Sequence, residues 1–251
     1  MQYADPHLNV YSRPDIVENY ANERCLLPCE VYLFDKYVKS SDAILDLGVG
    51  GGRTAPYLFA KGAKYIGVDY SQAMVAACKR KFPALEFYCE NACDLHRFED
   101  AAFDVAVFSR NGMDCIGTME GREACLQEVF RVLRPGGRFI FSSHNAKQLG
   151  WWPELYDANL FLTILRVLKS IYKSPRQCLS RLRSKAFWRG WGYAKITAEG
   201  MSRMAFVSTP EFFKQMANKL GFAVAEISNH LYPQEVPEYF VKSYNYVFVK
   251  P

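Results

Sequence analysis

One stretch constrains the fold of this chain more than any other: an apolar run that ends in an acid and opens into a glycine cluster, Ile44-Leu45-Asp46-Leu47-Gly48-Val49-Gly50-Gly51-Gly52-Arg53-Thr54. The run reads as a buried strand. Four glycines in five positions then form a turn that a ligand can approach closely, because glycine has no Cβ and tolerates positive φ. A helix is expected from about Thr54, with Pro56 tolerated in its first turn. Strand, glycine turn and helix in this order hold a nucleotide-like ligand at the carboxyl end of a parallel sheet.

Two registers of the loop compete. Gly50-Gly51-Gly52-Arg53-Thr54-Ala55 satisfies the dinucleotide pattern G-x-G-x-x-G/A, and Asp69 follows near the place of a ribose-binding acid. The other register, Asp46-x-Gly48-x-Gly50-x-Gly52, resembles motif I of the class I S-adenosylmethionine-dependent methyltransferases. That cofactor carries an ammonium and no pyrophosphate, and a carboxylate just before the loop suits the first and not the second.

The resemblance continues downstream, from residue 44 to 145. Tyr65-Ile66-Gly67-Val68-Asp69-Tyr70-Ser71 is similar to the second strand and its acid, and Leu85 to Leu95 to the third strand and its adenine turn. Phe103 to Phe108 matches the fourth strand, and Arg131 to Phe141 the helix–turn–strand entrance to the fifth. The resemblance implies that Asp46 sits near the methionine amine and that Gly48, Gly50 and Gly52 let the loop pass the cofactor. It implies ribose contacts from Asp69, with Tyr70 beside it, and adenine contacts from Asn91 and Ala92. The family commonly has Asp-Ala where this chain has Asn91-Ala92, and Asp94 is a second candidate there. The fold class it implies is α/β: a Rossmann-like seven-stranded sheet, parallel with a C-terminal antiparallel hairpin strand, helices on both faces, and a helical insertion between strands 5 and 6. The cofactor it implies is S-adenosylmethionine, with S-adenosylhomocysteine as product.

At 251 residues the chain suits one domain with decorations, expected as an N-terminal helical cover (1–40), a cofactor core (41–145), a lid insertion (146–207) and a closing segment (208–251). No apolar run approaches the ~18 residues of a membrane span. The N-terminus lacks a signal-peptide core, so a soluble cytoplasmic protein is expected. The spacings of Cys25/Cys29 and Cys89/Cys93 come without a His pair, which favours buried free thiols over a metal site.

Pro14–Asn22 and Leu26–Lys39 read as helices after an arm at 1–12. Tyr11, Arg13 and Tyr20 are candidates to cover the pocket, or tyrosines packed on the sheet edge. Strands are expected at 43–47, 64–69, 85–90, 103–108 and 137–143, and helices at 53–61, 71–81 and 119–133, the last stopped by Pro135-Gly136-Gly137. After the fourth strand, the backbone of Arg110 or Asn111 is placed to hold the methionine part of the cofactor, and Asp114 to orient a substrate or to start a helix. His144, at the end of the fifth strand, is a candidate general base or a loop-holding histidine, and a candidate substrate contact.

From Trp151 to Val207 ten Lys or Arg face three acids, a local charge of +7 in a chain of net +5. Leu160–Lys173 reads as an amphipathic helix, a basic helix near 176–188 follows, and the aromatic turn-rich stretch 187–193 offers Trp188 to a substrate. The bases suit an anionic acceptor, RNA phosphates, a membrane surface, or a solvated face. Ser208-Thr209-Pro210-Glu211 opens a helix to Leu220, and strands near 222–227 and 244–250 close the sheet as an antiparallel pair, which a parallel dinucleotide fold would not have.

The reading is methyl transfer to a small organic acceptor, with a homodimer possible. An RNA methyltransferase and a non-catalytic cofactor-binding protein stand as alternatives, and an NAD-dependent oxidoreductase is disfavoured. Ser109-Arg110-Asn111-Gly112 replaces the base-methylating Asn-Pro-Pro-Tyr tetrad, which counts against a nucleic-acid substrate.

Overall fold

The computed structural model describes residues 8–62, 64–149, 175–198 and 201–251. Its strands are β1 (Ala43–Leu47), β2 (Lys64–Asp69), β3 (Glu86–Cys89), β4 (Phe103–Phe108), β5 (Leu133–His144), β6 (Trp191–Ala198), β7 (Met201–Ser208), β8 (Ala223–Asn229) and β9 (Ser243–Val249). Its helices are α1 (Leu8–Tyr11), α2 (Pro14–Asn22), α3 (Pro28–Tyr37), α4 (Ala55–Lys61), α5 (Gln72–Lys81), α6 (Met119–Val132), α7 (Pro175–Arg183), α8 (Lys185–Arg189) and α9 (Pro210–Leu220).

Seven strands form one sheet in the order β3-β2-β1-β4-β5-β9-β8. The first five are mutually parallel, and β9 runs antiparallel to both β5 and β8. This is the expected class I methyltransferase sheet. Both faces are covered because the strand residues alternate between two cores. Leu45, Val68, Phe108, Phe139, Phe141 and Phe248 pack on one side with α6 and α9. Ile44, Tyr65, Val107, Ile140 and Val247 pack on the other with α3, α4 and α5. Burial of each such side chain contributes roughly 1.5–3 kcal/mol. The switch in strand order between β1 and β4 opens a crevice at their carboxyl ends, where ligands bind in such sheets.

Three departures from the sequence reading have local causes. Helix α6 ends at Val132, and Pro135-Gly136-Gly137 lies inside β5 instead of forming the stop. A residue before proline is driven to extended backbone, so Arg134 continues the strand that Leu133 begins. Gly136, at φ +77°, bends the strand while its amide bonds Lys250 O at 2.7 Å. Second, Thr209 is the N-cap of α9, but its side chain makes no capping bond. Third, the insertion is not helical throughout. The basic helix divides at Ser184, whose Oγ accepts from Ala186 N at 3.2 Å, and β6 and β7 form a hairpin. Its signal is a period of two: Tyr193 and Lys195 are exposed, Ala194 and Ile196 buried. Phe206 carries the hairpin into the main core. The helix expected over 160–173 lies outside the described residues.

Candidate functional site

The glycine loop is tied to the end of β2. Val49 N donates to Val68 O at 3.0 Å, and Gly50 N donates to Asp69 Oδ2 at 2.9 Å. Gly50 has φ +55°, a conformation that side chains resist. Gly51 has a different constraint: a Cβ there would lie 2.2 Å from the Tyr20 carbonyl, because the end of α2 rests on the loop. Lys81 clamps the two, donating to Ala21 O at 2.7 Å and to Gly51 O at 3.2 Å.

Asp69 is 5% exposed, and its other oxygen accepts from Ser71 N at 2.9 Å. Each carboxylate oxygen has taken one donor and keeps a further lone pair, so the group retains capacity for the two hydroxyls of a ribose. Burial pushes its pKa up to about 6, against the pull of the two backbone N–H groups. Asp46 behaves differently. It is 1% exposed, its Oδ2 accepts from Thr54 Oγ1 at 2.5 Å and Tyr65 OH at 2.8 Å, and it does not line the cavity. Through these bonds Asp46 ties the start of α4 to β2. Burial raises its pKa to about 6 as well.

A buried ion pair supports the loop from beneath. Arg53 donates to both Glu30 oxygens, at 2.6 and 2.7 Å, and Ser109 Oγ also donates to Glu30. Burial alone would raise the Glu30 carboxyl, but the hydrogen bonds and charge of Arg53 bring it below its usual value. The network joins α3, the glycine loop and the segment after β4. Next to it Arg110 pairs with Glu23 at 2.7 Å.

After β3 the chain turns back through Asn91, whose Oδ1 accepts from Cys93 N at 2.9 Å. That leaves the amide Nδ2 as the donor Asn91 offers a ligand. After β4, Arg110 and Asn111 both adopt left-handed backbone, φ +53° and +60°. Asn111 N donates to Ser142 Oγ at 2.8 Å, and its amide Nδ2 lies 3.3 Å from His144 Nε2. His144 Nδ1 lies 2.6 Å from Asp114 Oδ2, and Ser143 Oγ donates to Asp114 Oδ1 at 2.6 Å. With Nδ1 as donor to the carboxylate, Nε2 is the acceptor and takes the Asn111 amide.

A cavity of about 710 Å³ lies over these strand ends. Of the residues expected from sequence, Tyr11, Tyr20, Gly48, Gly50, Asp69, Tyr70, Asn91, Ala92, Asp94 and Arg110 line it. Asp46, Gly52, Asn111, Asp114, His144 and Trp188 do not. Trp188 is 71% exposed and donates its Nε1 to Leu182 O, away from the site. Sequence reasoning missed Phe108, Ser109, Met74 and the wall from Cys115 to Gly121. Phe108 and Ser109 were findable from their place at the end of β4, whereas the wall depends on how α6 packs. Tyr11 closes the cavity from above: its ring meets Tyr20 and Tyr70 edge-on, its OH lies 3.3 Å from Cys115 Sγ, and its carbonyl accepts from Ser71 Oγ.

The donors and acceptors fit S-adenosylmethionine. Asp69 keeps acceptor capacity for a diol, and Asn91 offers a donor to a base edge.

Residues 45–141 match the family described as a methyltransferase domain. A demethylmenaquinone methyltransferase of Beutenbergia cavernae is 27% identical over 174 residues, 63% of this chain and 70% of that protein. Another, of Paenarthrobacter aurescens, is 30% identical over 139 residues, covering 55% of this chain and 53% of its own length. Among solved structures, the 1,6-didemethyltoxoflavin-N1-methyltransferase of Burkholderia thailandensis, with bound 1,6-didemethyltoxoflavin and S-adenosylhomocysteine, superposes with a TM-score of 0.58. It covers 100% of this chain and 92% of its own at 16% identity, a likeness of fold. With the domain match spanning β1 to β5, and solved S-adenosylmethionine-dependent methyltransferases sharing the fold, residues 45–141 are those of a methyltransferase domain.

Proposed function

We propose that this chain transfers a methyl group from S-adenosylmethionine to a small organic acceptor in the cavity over the carboxyl ends of β1, β2 and β4. The observation that carries the reading is a single cavity that joins Asp69 and Asn91 to Phe108, Ser109 and Arg110. When bound, the cofactor supplies an electrophilic methyl on a sulfonium, so the protein's work is alignment and exclusion of water. In this reading Asp69 accepts from the ribose hydroxyls, Asn91 and Ala92 address the adenine edge, and Arg110 attracts the methionine carboxylate. Tyr11 and Tyr20 cover the site and present aromatic faces, which suit a planar acceptor. The names of the two relatives support a quinol-like ring as that acceptor.

His144 and Asp114 are read as positioning residues. The His144 Nε2 is occupied by Asn111, so the pair orients the segment after β4 that forms one wall of the site.

The test is calorimetric titration of the full chain with S-adenosylhomocysteine and, separately, NADH, repeated on Asp69→Ala. Turnover of a demethylated naphthoquinol with labelled S-adenosylmethionine follows. Saturable homocysteine-cofactor binding that Asp69→Ala abolishes, with label entering the quinol, supports the reading. Binding of NADH instead overturns it. Cofactor binding with no transfer to quinols removes the acceptor and keeps the cofactor site.

A further inference from the structure

Eight large hydrophobic side chains are exposed among the described residues, and three of them, Leu179, Leu182 and Trp188, fall within ten positions of one another. Isolated exposed apolar residues are ordinary, but a cluster marks an interaction site. Leu179 is 50% exposed and Leu182 lies one turn further along α7. Trp188 donates its Nε1 to Leu182 O at 2.7 Å, which holds the indole beside the end of α7. A fourth exposed apolar side chain, Tyr239, stacks its ring on Phe187 of α8 at 6.4 Å.

Charge frames this apolar cluster. Arg183, Lys185 and Arg189 are exposed on the same two helices. Leu179 and Arg183 share a shallow concavity with Ser180 and Ser184. Between Asp157 and Glu199 the chain has nine Lys or Arg and no acid at all. An anionic surface would complement this charge.

We propose that the α7–α8 face, Leu179, Leu182 and Trp188 with Arg183 and Lys185, docks the protein onto an anionic lipid bilayer. Basic residues alone would serve any polyanion. Exposed leucines find no partner on a phosphodiester backbone, whereas they enter the boundary between headgroups and acyl chains while the basic residues meet the phosphates. The Trp188 donor is already satisfied within the protein, so its ring enters that boundary without leaving an N–H unpaired. No helix among the described residues is long and apolar enough to cross a membrane, so the contact is peripheral.

The test is co-sedimentation of the full chain with vesicles of phosphatidylcholine alone and of phosphatidylcholine with phosphatidylglycerol. The wild type is expected to bind only the anionic vesicles. Arg183→Glu with Lys185→Glu, and Leu179→Ser with Leu182→Ser and Trp188→Ser, are each expected to lower binding on the order of tenfold or more. A milder variant guards against misfolding: brominated acyl chains in anionic vesicles are expected to quench wild-type fluorescence more than that of Trp188→Phe. Equal binding to both vesicles, or quenching that Trp188→Phe leaves unchanged, overturns the proposal. So does loss of binding in the charge variant alone, with competition by polyuridylate, an outcome that assigns the face to RNA.

Discussion

The Tyr193 hydroxyl, on the hairpin, donates to Gly117 O at 2.5 Å, in the wall of the cavity. The same hydroxyl accepts from Arg122 Nη1 at 3.2 Å. Arg122 has no accessible surface, and it donates in turn to Thr118 O at 2.8 Å and to Ile116 O. Its guanidinium lies 3.8 Å from the centre of the Phe206 ring, and no ion pair to it forms among the described residues. Three successive carbonyls, 116 to 118, are thus held by one buried cation and one hairpin tyrosine. Since Gly117 and Thr118 line the cavity, the hairpin is bonded to its wall through this tyrosine. Tyr193→Phe removes only the hydroxyl at a position 41% exposed, so the fold persists. Loss of one such bond, about 1 kcal/mol, predicts S-adenosylhomocysteine binding weakened about fivefold by calorimetry. Unchanged affinity would show the wall to be rigid without the hairpin.

Binding and pH are linked through Asp69. Its folded pKa, raised to about 6 by burial, stands above the unfolded value, so the folded state holds this proton more tightly. The ionised form is the acceptor for ribose hydroxyls, so affinity for S-adenosylhomocysteine should fall as pH drops through about 6. Binding should also release protons near that pH, read as a dependence of the calorimetric heat on buffer ionisation enthalpy. Absence of proton release would remove Asp69 from the ribose contact.

Asp46 carries the same shift with a consequence for stability. Its ionised form is the penalised one, so the penalty is complete above about 6 and is relieved progressively as pH falls from there to the ordinary value of 3.8. Asp46→Asn keeps an acceptor for Thr54 and Tyr65 and removes the buried charge. Its melting temperature should exceed that of wild type at pH near 8, and the gap should narrow steadily as pH falls from about 6 towards 3.8, where the unfolded carboxyl also takes up its proton. A gain independent of pH would contradict this account.

Glu30→Gln leaves the Arg53 charge buried without its counter-charge. Breaking such a pair costs about 3–5 kcal/mol, a loss that denaturant unfolding would report at neutral pH. Because Arg53 holds the pair that lowers the Glu30 pKa, the stabilisation is complete above the usual carboxylate range and is lost as pH falls below it. The gap between variant and wild type should therefore narrow in acid.

Gly51→Ala tests how α2 rests on the loop. The added Cβ would meet the Tyr20 backbone at 2.2 Å, too close for any side chain to yield. The end of α2 must lift, taking Tyr20 off the cavity. Cofactor affinity is expected to drop by at least tenfold, with a modest fall in melting temperature. Retained affinity would mean that α2 is not part of the site.

Much of the frame was written locally. β1, β2, β4 and α2 stand where the apolar runs, their closing acids and Pro14 place them, at 43–47, 64–69, 103–108 and 14–22. An apolar run bounded by turn residues carries its strand with it, because burial of both faces is encoded in the run itself. The glycine loop, Asp69 and Asn91 were legible for the same reason: each follows directly from the end of a strand. Tertiary structure decided what side chains face. Asp46 has the spacing of a cofactor contact, and it was packing that gave its Oδ2 to Thr54 and Tyr65. His144 has the position of a base and is claimed by Asp114 and Asn111, about thirty residues away in sequence. The hairpin's alternation was present in Tyr193 to Ile196, but the insertion as a whole was expected to be helical, and Phe206 and Arg122 join the hairpin to the core. Direction and partnership depend on segments brought together by packing, and no local pattern records them.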